Sequence, residues 1–237
     1  MDNKFVTAII VAAGNSTRMG GNISKQFISI KEKMVIEHTL TAFENCNVID
    51  EVVIVARQQD IAKIKELSSN CFKKVKAITT GGDTRGDSVS NGIKASSANT
   101  THFAIHDGAR PMIKVSDIES VVNTAFKVKS ATLGVMVKDT IKAVNDENTV
   151  VSTPNRDALR SIQTPQVFEK ELYISALEKA ESEGKNFTDD CQLIENYGES
   201  VQVVIGSESN IKITTPYDVI VAESILNSRD KGDNIRE

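Results

Sequence analysis

Short apolar runs alternate with stretches of helical period along most of the chain. Residues 5–11, 52–56, 75–78, 103–106 and 131–137 are rich in Val, Ile, Ala and Phe, the composition of strands buried on both faces. Between them, residues 35–43, 59–67, 88–95 and 115–128 repeat apolar side chains at helical spacing. Strand–helix alternation implies right-handed crossovers, and so predicts an α/β, Rossmann-like, mostly parallel sheet with helices on both faces. The alternation breaks at residues 138–166, where Lys138-Asp-Thr-Ile-Lys142, the turn signal Asn145-Asp-Glu-Asn148 and residues 149–152 predict a β-hairpin. An extended arm cannot bury both its faces alone, so a second copy of the chain is the expected cover, making a homodimer. Helices near 169–183 and 189–197, a strand at 201–205, a last helix to about 227 and a charged tail over 229–237 complete one domain spanning 1–237.

Ligands in such sheets bind beyond the carboxyl ends of the strands, and three of the predicted ends carry polar, glycine-bearing turns. The first strand runs into Val11-Ala-Ala-Gly-Asn-Ser-Thr-Arg-Met-Gly-Gly-Asn-Ile-Ser-Lys-Gln-Phe27, the third into Thr80-Gly-Gly-Asp-Thr-Arg-Gly-Asp-Ser88, and the fourth into His106-Asp-Gly-Ala-Arg-Pro111. Glycines let backbone N–H groups converge on a ligand, and Arg18 and Lys25 add the charge that a polyanion needs, so a nucleoside triphosphate is the natural guest. The spacing matches neither a Walker A loop nor the dinucleotide fingerprint, since Ser16 stands where the second fingerprint glycine belongs.

The net charge of −4 gives no general attraction for nucleic acid, so any anion site is local. No apolar stretch reaches membrane-spanning length, and no signal-peptide pattern precedes the first strand. Cys46, Cys71 and Cys191 are scattered and odd in number, which fits reduced thiols in a cytoplasm and no zinc site.

Eight motifs in series carry a specific resemblance. They are Ala12-Ala-Gly-x-x-x-Arg-Met19, Lys25-Gln-Phe27, Gly81-Gly-Asp-x-Arg85 with Ser88, His106-Asp-Gly-Ala-Arg-Pro111, Lys138-Asp-Thr-Ile-Lys142, Gln163-Thr-Pro-Gln166, Thr188-Asp189 and Asn210-Ile-Lys-Ile-Thr214. Together they resemble the 2-C-methyl-D-erythritol 4-phosphate cytidylyltransferases of the non-mevalonate isoprenoid pathway, from about residue 6 to about 222. The resemblance implies attack of the acceptor's phosphate on the α-phosphorus of CTP, with release of pyrophosphate. It implies that Arg18 and Lys25 contact the triphosphate, and that Arg156 and Lys212 orient the acceptor, Arg156 from an arm able to reach a partner subunit. Ala12, Ala13, Gly14, Gly81, Gly82, Asp83 and Ser88 match nucleotide-binding positions, and Asp107, Arg110, Thr140 and Thr164 lie at or beside the acceptor.

Mg²⁺ is expected from the triphosphate itself, with Asp107 the nearest carboxylate, although Asp107 is equally suited to pairing with Arg110. Asp83 and Asp87 compete as the cap of the following helix, and Thr140 fits an ordinary strand threonine as well as a contact. His106 is read as structural because the attacking phosphate is already an anion and needs no base. Ser16, Thr17 and Thr84 depart from residues frequent in the family, the second removing a basic side chain. The readings in competition are a ribitol 5-phosphate cytidylyltransferase, a non-catalytic nucleotide-binding subunit and, least supported, a nicotinamide oxidoreductase.

Overall fold

The computed structural model describes residues 4–14, 24–69 and 71–231. Strands β1 (Val6–Ala12), β4 (Glu51–Ala56), β5 (Val75–Thr80) and β6 (His102–Asp107) lie parallel, with β1 at the centre between β4 and β6. Two short strands, β2 (Ser29–Ile30) and β3 (Lys33–Met34), pair as a separate hairpin before helix α1 (Val35–Glu44). Helices α2 (Ile61–Ser69), α3 (Arg85–Lys94) and α4 (Val115–Val128) make the crossovers, and β7 (Ser130–Met136) follows. The small strands β8 (Ala143–Val144) and β9 (Val150–Ser152) pair antiparallel on the arm. Then come β10 (Arg160–Glu169), α5 (Lys170–Ser182), α6 (Asp190–Tyr197), β11 (Gln202–Ile205) and α7 (Pro216–Asp230). The central sheet has seven strands in the order β11-β7-β10-β6-β1-β4-β5.

One strand departs from the predicted arrangement. Residues 160–166, assigned from the sequence to the arm, return to the central sheet as the first part of β10, which pairs antiparallel with both β6 and β7. The arm therefore ends near residue 159. Pro165 and a run of polar residues hide this strand from periodicity, and the ladder to β7 shifts register between Ile162 and Gln166 to accommodate them. The Thr164–Pro165 peptide is cis.

Alternation along β1 divides the core. Val6, Ala8, Ile10 and Ala12 pack with Ile36, Leu40 and Phe43 of α1 and with Ile118, Val121 and Val122 of α4. Ile9 faces the opposite layer, where Val89 of α3, Phe103, Phe168, Tyr173 and Ile194 gather. Gly92 lets α3 seat directly on the sheet, since a Cβ there would stand 2.5 Å from Ile9 Cγ2. Phe43, Phe103 and Phe168 are fully buried, each worth about 1.5–3 kcal/mol of transfer free energy.

Helix termini fix the loops that matter. Thr84 caps α3 by accepting from the Asp87 N–H at 3.1 Å, while Asp87 Oδ2 accepts from the Thr84 N–H at 2.9 Å. At α7, Asp218 accepts from the backbone N–H groups of Thr214 and Thr215, and Pro216 opens the helix. That cap ties residues 209–215 down against Ala109, whose carbonyl accepts from the Ile213 N–H at 2.8 Å.

Candidate active site

A cavity of about 260 Å³ opens beyond the carboxyl ends of β1, β5 and β6. Val11, Ala13 and Gly14 from β1 and the residues after it, Lys25 and Gln26 from the short helix 25–27, Gly82 to Arg85 and Ser88 at the start of α3, Asp107 and Ala109, and Lys212 line it. Three turns and two distant segments thus converge on one cleft. Lys25, Arg85 and Lys212 share the lining with Asp83 and Asp107, so three cations gather at one cleft in a chain of net charge −4.

The turn after β5 is closed by its own atoms. The Gly82 N–H donates to Ser88 Oγ at 3.1 Å, and Ser88 Oγ–H donates to the Thr84 carbonyl at 3.0 Å. A Cβ on Gly81 would stand 2.3 Å from Ala13 Cβ, and one on Gly82 would stand 2.3 Å from Asp87 Cβ. Both positions therefore require glycine for close approach. With Thr84 and Asp87 forming the cap, Asp83 is not used for that purpose and stays at the rim of the cleft.

The β6 end is assembled from farther away. Asp107 Oδ2 lies 2.8 Å from Lys212 Nζ and 3.5 Å from Arg110 Nε. Burial pushes the Asp107 carboxyl up, but the two cations outweigh it and hold the group well below the usual carboxylate range. Arg110 also donates from Nη1 to the Asn210 carbonyl at 2.8 Å, fastening the Lys212 segment to the turn. Thr164 Oγ1 accepts from the Asp107 N–H and meets His106 Nδ1, both at 3.0 Å. His106 Nε2 lies 3.4 Å from the Arg110 carbonyl, and burial pushes the imidazole down to about 3, so the ring is neutral and braces the turn. Lys25 Nζ donates to the Ile213 carbonyl at 3.1 Å, which links the first turn to the same segment.

The cleft unites Ala13, Gly14, Lys25, Gly82, Asp83, Ser88, Asp107 and Lys212. Ala12 instead points into the core, while Thr164 and Arg110 stand behind Asp107. Thr140 and Arg156 are exposed on the arm, where Arg156 Nη1 donates to the Lys138 carbonyl at 3.0 Å, and neither lines this chain's cleft. Arg18 lies outside the described residues. Among the lining residues that carried no role in the sequence reading are Gln26 and Arg85. Arg85 Nη1 sits 2.6 Å from the buried Asp190 at the start of α6, a pairing across about a hundred residues that no local pattern announces.

A family model described as IspD, 2-C-methyl-D-erythritol 4-phosphate cytidylyltransferase, matches residues 6–228. The chain belongs to this family. The 2-C-methyl-D-erythritol 4-phosphate cytidylyltransferase of Clostridioides difficile is 45% identical over 224 residues, 93% of either chain. That of Desulforamulus reducens is 40% identical over 226 residues, covering 94% of this chain and 97% of the relative. Among solved structures, the crystal structure of 4-diphosphocytidyl-2C-methyl-D-erythritol synthase from Anaerococcus prevotii superposes with a TM-score of 0.85 at 35% identity, covering 94% of this chain and 96% of that one. The Thermus thermophilus cytidylyltransferase gives a TM-score of 0.75 at 28% identity, over 95% of this chain and all of that one. The cytidylyltransferase fold thus covers the sheet, the arm and the cleft together, from β1 into α7.

Proposed function

We propose that the chain transfers a cytidylyl group from CTP to 2-C-methyl-D-erythritol 4-phosphate, giving the cytidine diphosphate product of isoprenoid biosynthesis and pyrophosphate. The observation that carries this reading is the convergence of Lys25, Lys212 and the Gly82–Ser88 turn on one cleft at the strand ends. A phosphate oxygen of the acceptor forms the new bond to the α-phosphorus, the α–β bridging bond breaks, and the electron pair leaves with pyrophosphate. No proton need move, so the protein's work is alignment and charge neutralisation. Lys25, with Arg18 from the same stretch, serves the triphosphate, and Lys212 serves the acceptor phosphate. Two anions brought together repel, and cations on both sides lower that repulsion.

Base choice follows from hydrogen-bond direction. Ser88 gives its only hydrogen to Thr84 and one lone pair to Gly82, so it meets a ligand as an acceptor. An acceptor suits the amino group of cytosine and opposes the carbonyl of uracil at the same position. The close Gly81–Gly82 turn supports a pyrimidine over a purine.

Among the described residues, no group of three or more His, Cys, Asp or Glu side chains could hold a metal. The site suits an ion carried by phosphate oxygens, with Asp107 as the carboxylate that would hold it. Asp107 Oδ2 is engaged by Lys212 and Arg110, so a metal ion would be held through the other carboxylate oxygen. Bound there, Mg²⁺ supplies neutralisation of charge on the polyphosphate.

The arm supports a homodimer, because Val150 and Val151 are 55% and 67% exposed on a two-stranded ribbon whose residues are exposed from 138 to 153. Arg156 and Thr140 on this arm then serve the partner's cleft. No helix among the described residues is long and apolar enough to cross a membrane, and the buried free thiols Cys46 and Cys191 support a cytoplasmic location. The test is pyrophosphate release from CTP and Mg²⁺ with a panel of polyol phosphates. Turnover with 2-C-methyl-D-erythritol 4-phosphate is expected; turnover confined to ribitol 5-phosphate, or CTP binding without turnover on any acceptor, would overturn the reading.

A further inference from the structure

Arg85 stands where helix energetics disfavour it. It is the first residue of α3, and a cation in the first turn of a helix opposes the helix dipole. Its guanidinium reaches the first residue of α6, with Nη1 2.6 Å from Asp190 Oδ2. Asp190 is itself held from behind. The Tyr173 hydroxyl donates to its Oδ1 at 2.8 Å, and the Tyr173 ring packs on Phe103 and Phe168 with centroids 6.1 and 5.4 Å away. The neighbouring Asp189 accepts from the Gln166 amide of β10, which pins the start of α6 to the sheet. Tyr173 and Asp190 are buried and do not line the cleft, whereas the Arg85 side chain keeps 26% of its surface exposed and does. Burial pushes the Asp190 carboxyl up, and the Arg85 charge is the largest influence opposing it.

A buried ion pair adds little net stability over apolar residues of the same volume, so the worth of this one lies in position. The hydrogen bonds within the Gly82–Ser88 turn fix its shape. They do not fix where the start of α3 sits relative to α5 and α6. Arg85 spans that gap, from the turn on one side to a carboxylate anchored in the aromatic core on the other. We infer that Arg85 and Asp190 are a positioning pair for the nucleotide, holding the Gly82–Ser88 turn against the α5–α6 layer and so setting its fit to the cytidine of CTP. Asp190 acts wholly through Arg85 and touches no substrate. The inference rests on the cytidylyl-transfer reading and places a determinant of nucleotide affinity behind the cleft wall.

The test measures CTP affinity by calorimetry with Mg²⁺ and no acceptor, and pyrophosphate release with 2-C-methyl-D-erythritol 4-phosphate, for Arg85→Met, Asp190→Asn and the double variant. Each should raise the Kd for CTP about 10- to 100-fold, while the KM for the acceptor at saturating CTP changes less than about threefold. Because the two residues act as a unit, the double variant should lose no more than the worse single one. Arg85→Lys, which keeps the charge, should recover part of the affinity. CTP affinity within about twofold of wild type in Asp190→Asn, losses that multiply in the double variant, or an equal rise in the acceptor KM would overturn the assignment. Should Arg85→Met fail to fold because Asp190 is left buried without its cation, Asp190→Asn and the double variant decide, since both remove the buried charge. Failure of the wild type to bind CTP would instead overturn the functional reading itself, and this inference with it.

Discussion

The two sides of the cleft are built in opposite ways. The side proposed for the base is one turn, residues 80–88, whose glycines, cap and internal hydrogen bonds all come from nine consecutive positions. The side proposed for the acceptor joins Asp107 on β6, Thr164 on β10, Asn210 and Lys212 before α7, and, in the proposed dimer, Arg156 from a partner's arm. A local turn holds its shape through short-range geometry. A side drawn from four stretches holds its shape only while the sheet order and the charge pairs among those stretches persist. Sequence change should therefore disturb the base side by sterics close at hand, and the acceptor side by breaking long-range links.

The largest effect is expected at the acceptor side. Lys212→Ala should cut turnover about 100- to 1,000-fold in steady-state pyrophosphate release, the range for loss of a preorganised charged donor. It should also change the acid limb of stability. Because the folded Asp107 carboxyl lies below its ordinary value of about 3.9, the pair stabilises the fold above that pH and the benefit is lost as pH falls through the lower folded value. Lys212→Ala should therefore start acid unfolding at a higher pH; an unchanged acid limb by circular dichroism would count against the pair.

Next comes the arm. Val151→Asp places a charge on the exposed ribbon and should shift the sedimentation mass from dimer to monomer. Turnover should fall about 100-fold as Arg156 is withdrawn from the partner's cleft. Full activity in a proven monomer would remove the arm from the site.

The base side should respond more weakly and more selectively. Gly82→Ala forces a Cβ to within 2.3 Å of Asp87 Cβ, so the turn must open. The KM for CTP should rise about 10- to 100-fold, with little change in acceptor dependence at saturating CTP. The smallest effect is Thr84→Ala, which removes the α3 cap and should cost about 1 kcal/mol, roughly 2–4 °C in thermal melting for a chain of this size.

The same contrast explains what the sequence made legible. Buried parallel strands such as Glu51–Ala56 and His102–Asp107 declare themselves because both faces meet apolar layers. β10 does not, because its buried positions include the polar residues Gln163, Thr164 and Gln166, with Gln163 donating to the Ser207 carbonyl and the Asn210 amide donating to Gln163 and to the Thr164 carbonyl. Gly81, Gly82 and Ser88 could be placed together because nearest neighbours define their turn. Gln26 could not be placed at the cleft from the sequence, since only coordinates show it buried in the lining. Arg85 likewise depends on Asp190, far along the chain.

The position of CTP in a crystal of the Mg²⁺ complex tests the central claim most directly. The cytosine amino group should lie within hydrogen-bond distance of Ser88 Oγ, with the triphosphate running past Lys25 and the acceptor side at Lys212 left open. Phosphates seated in the Gly82–Ser88 turn with the base at Lys212, or a nucleotide bound outside this cleft, would contradict the account.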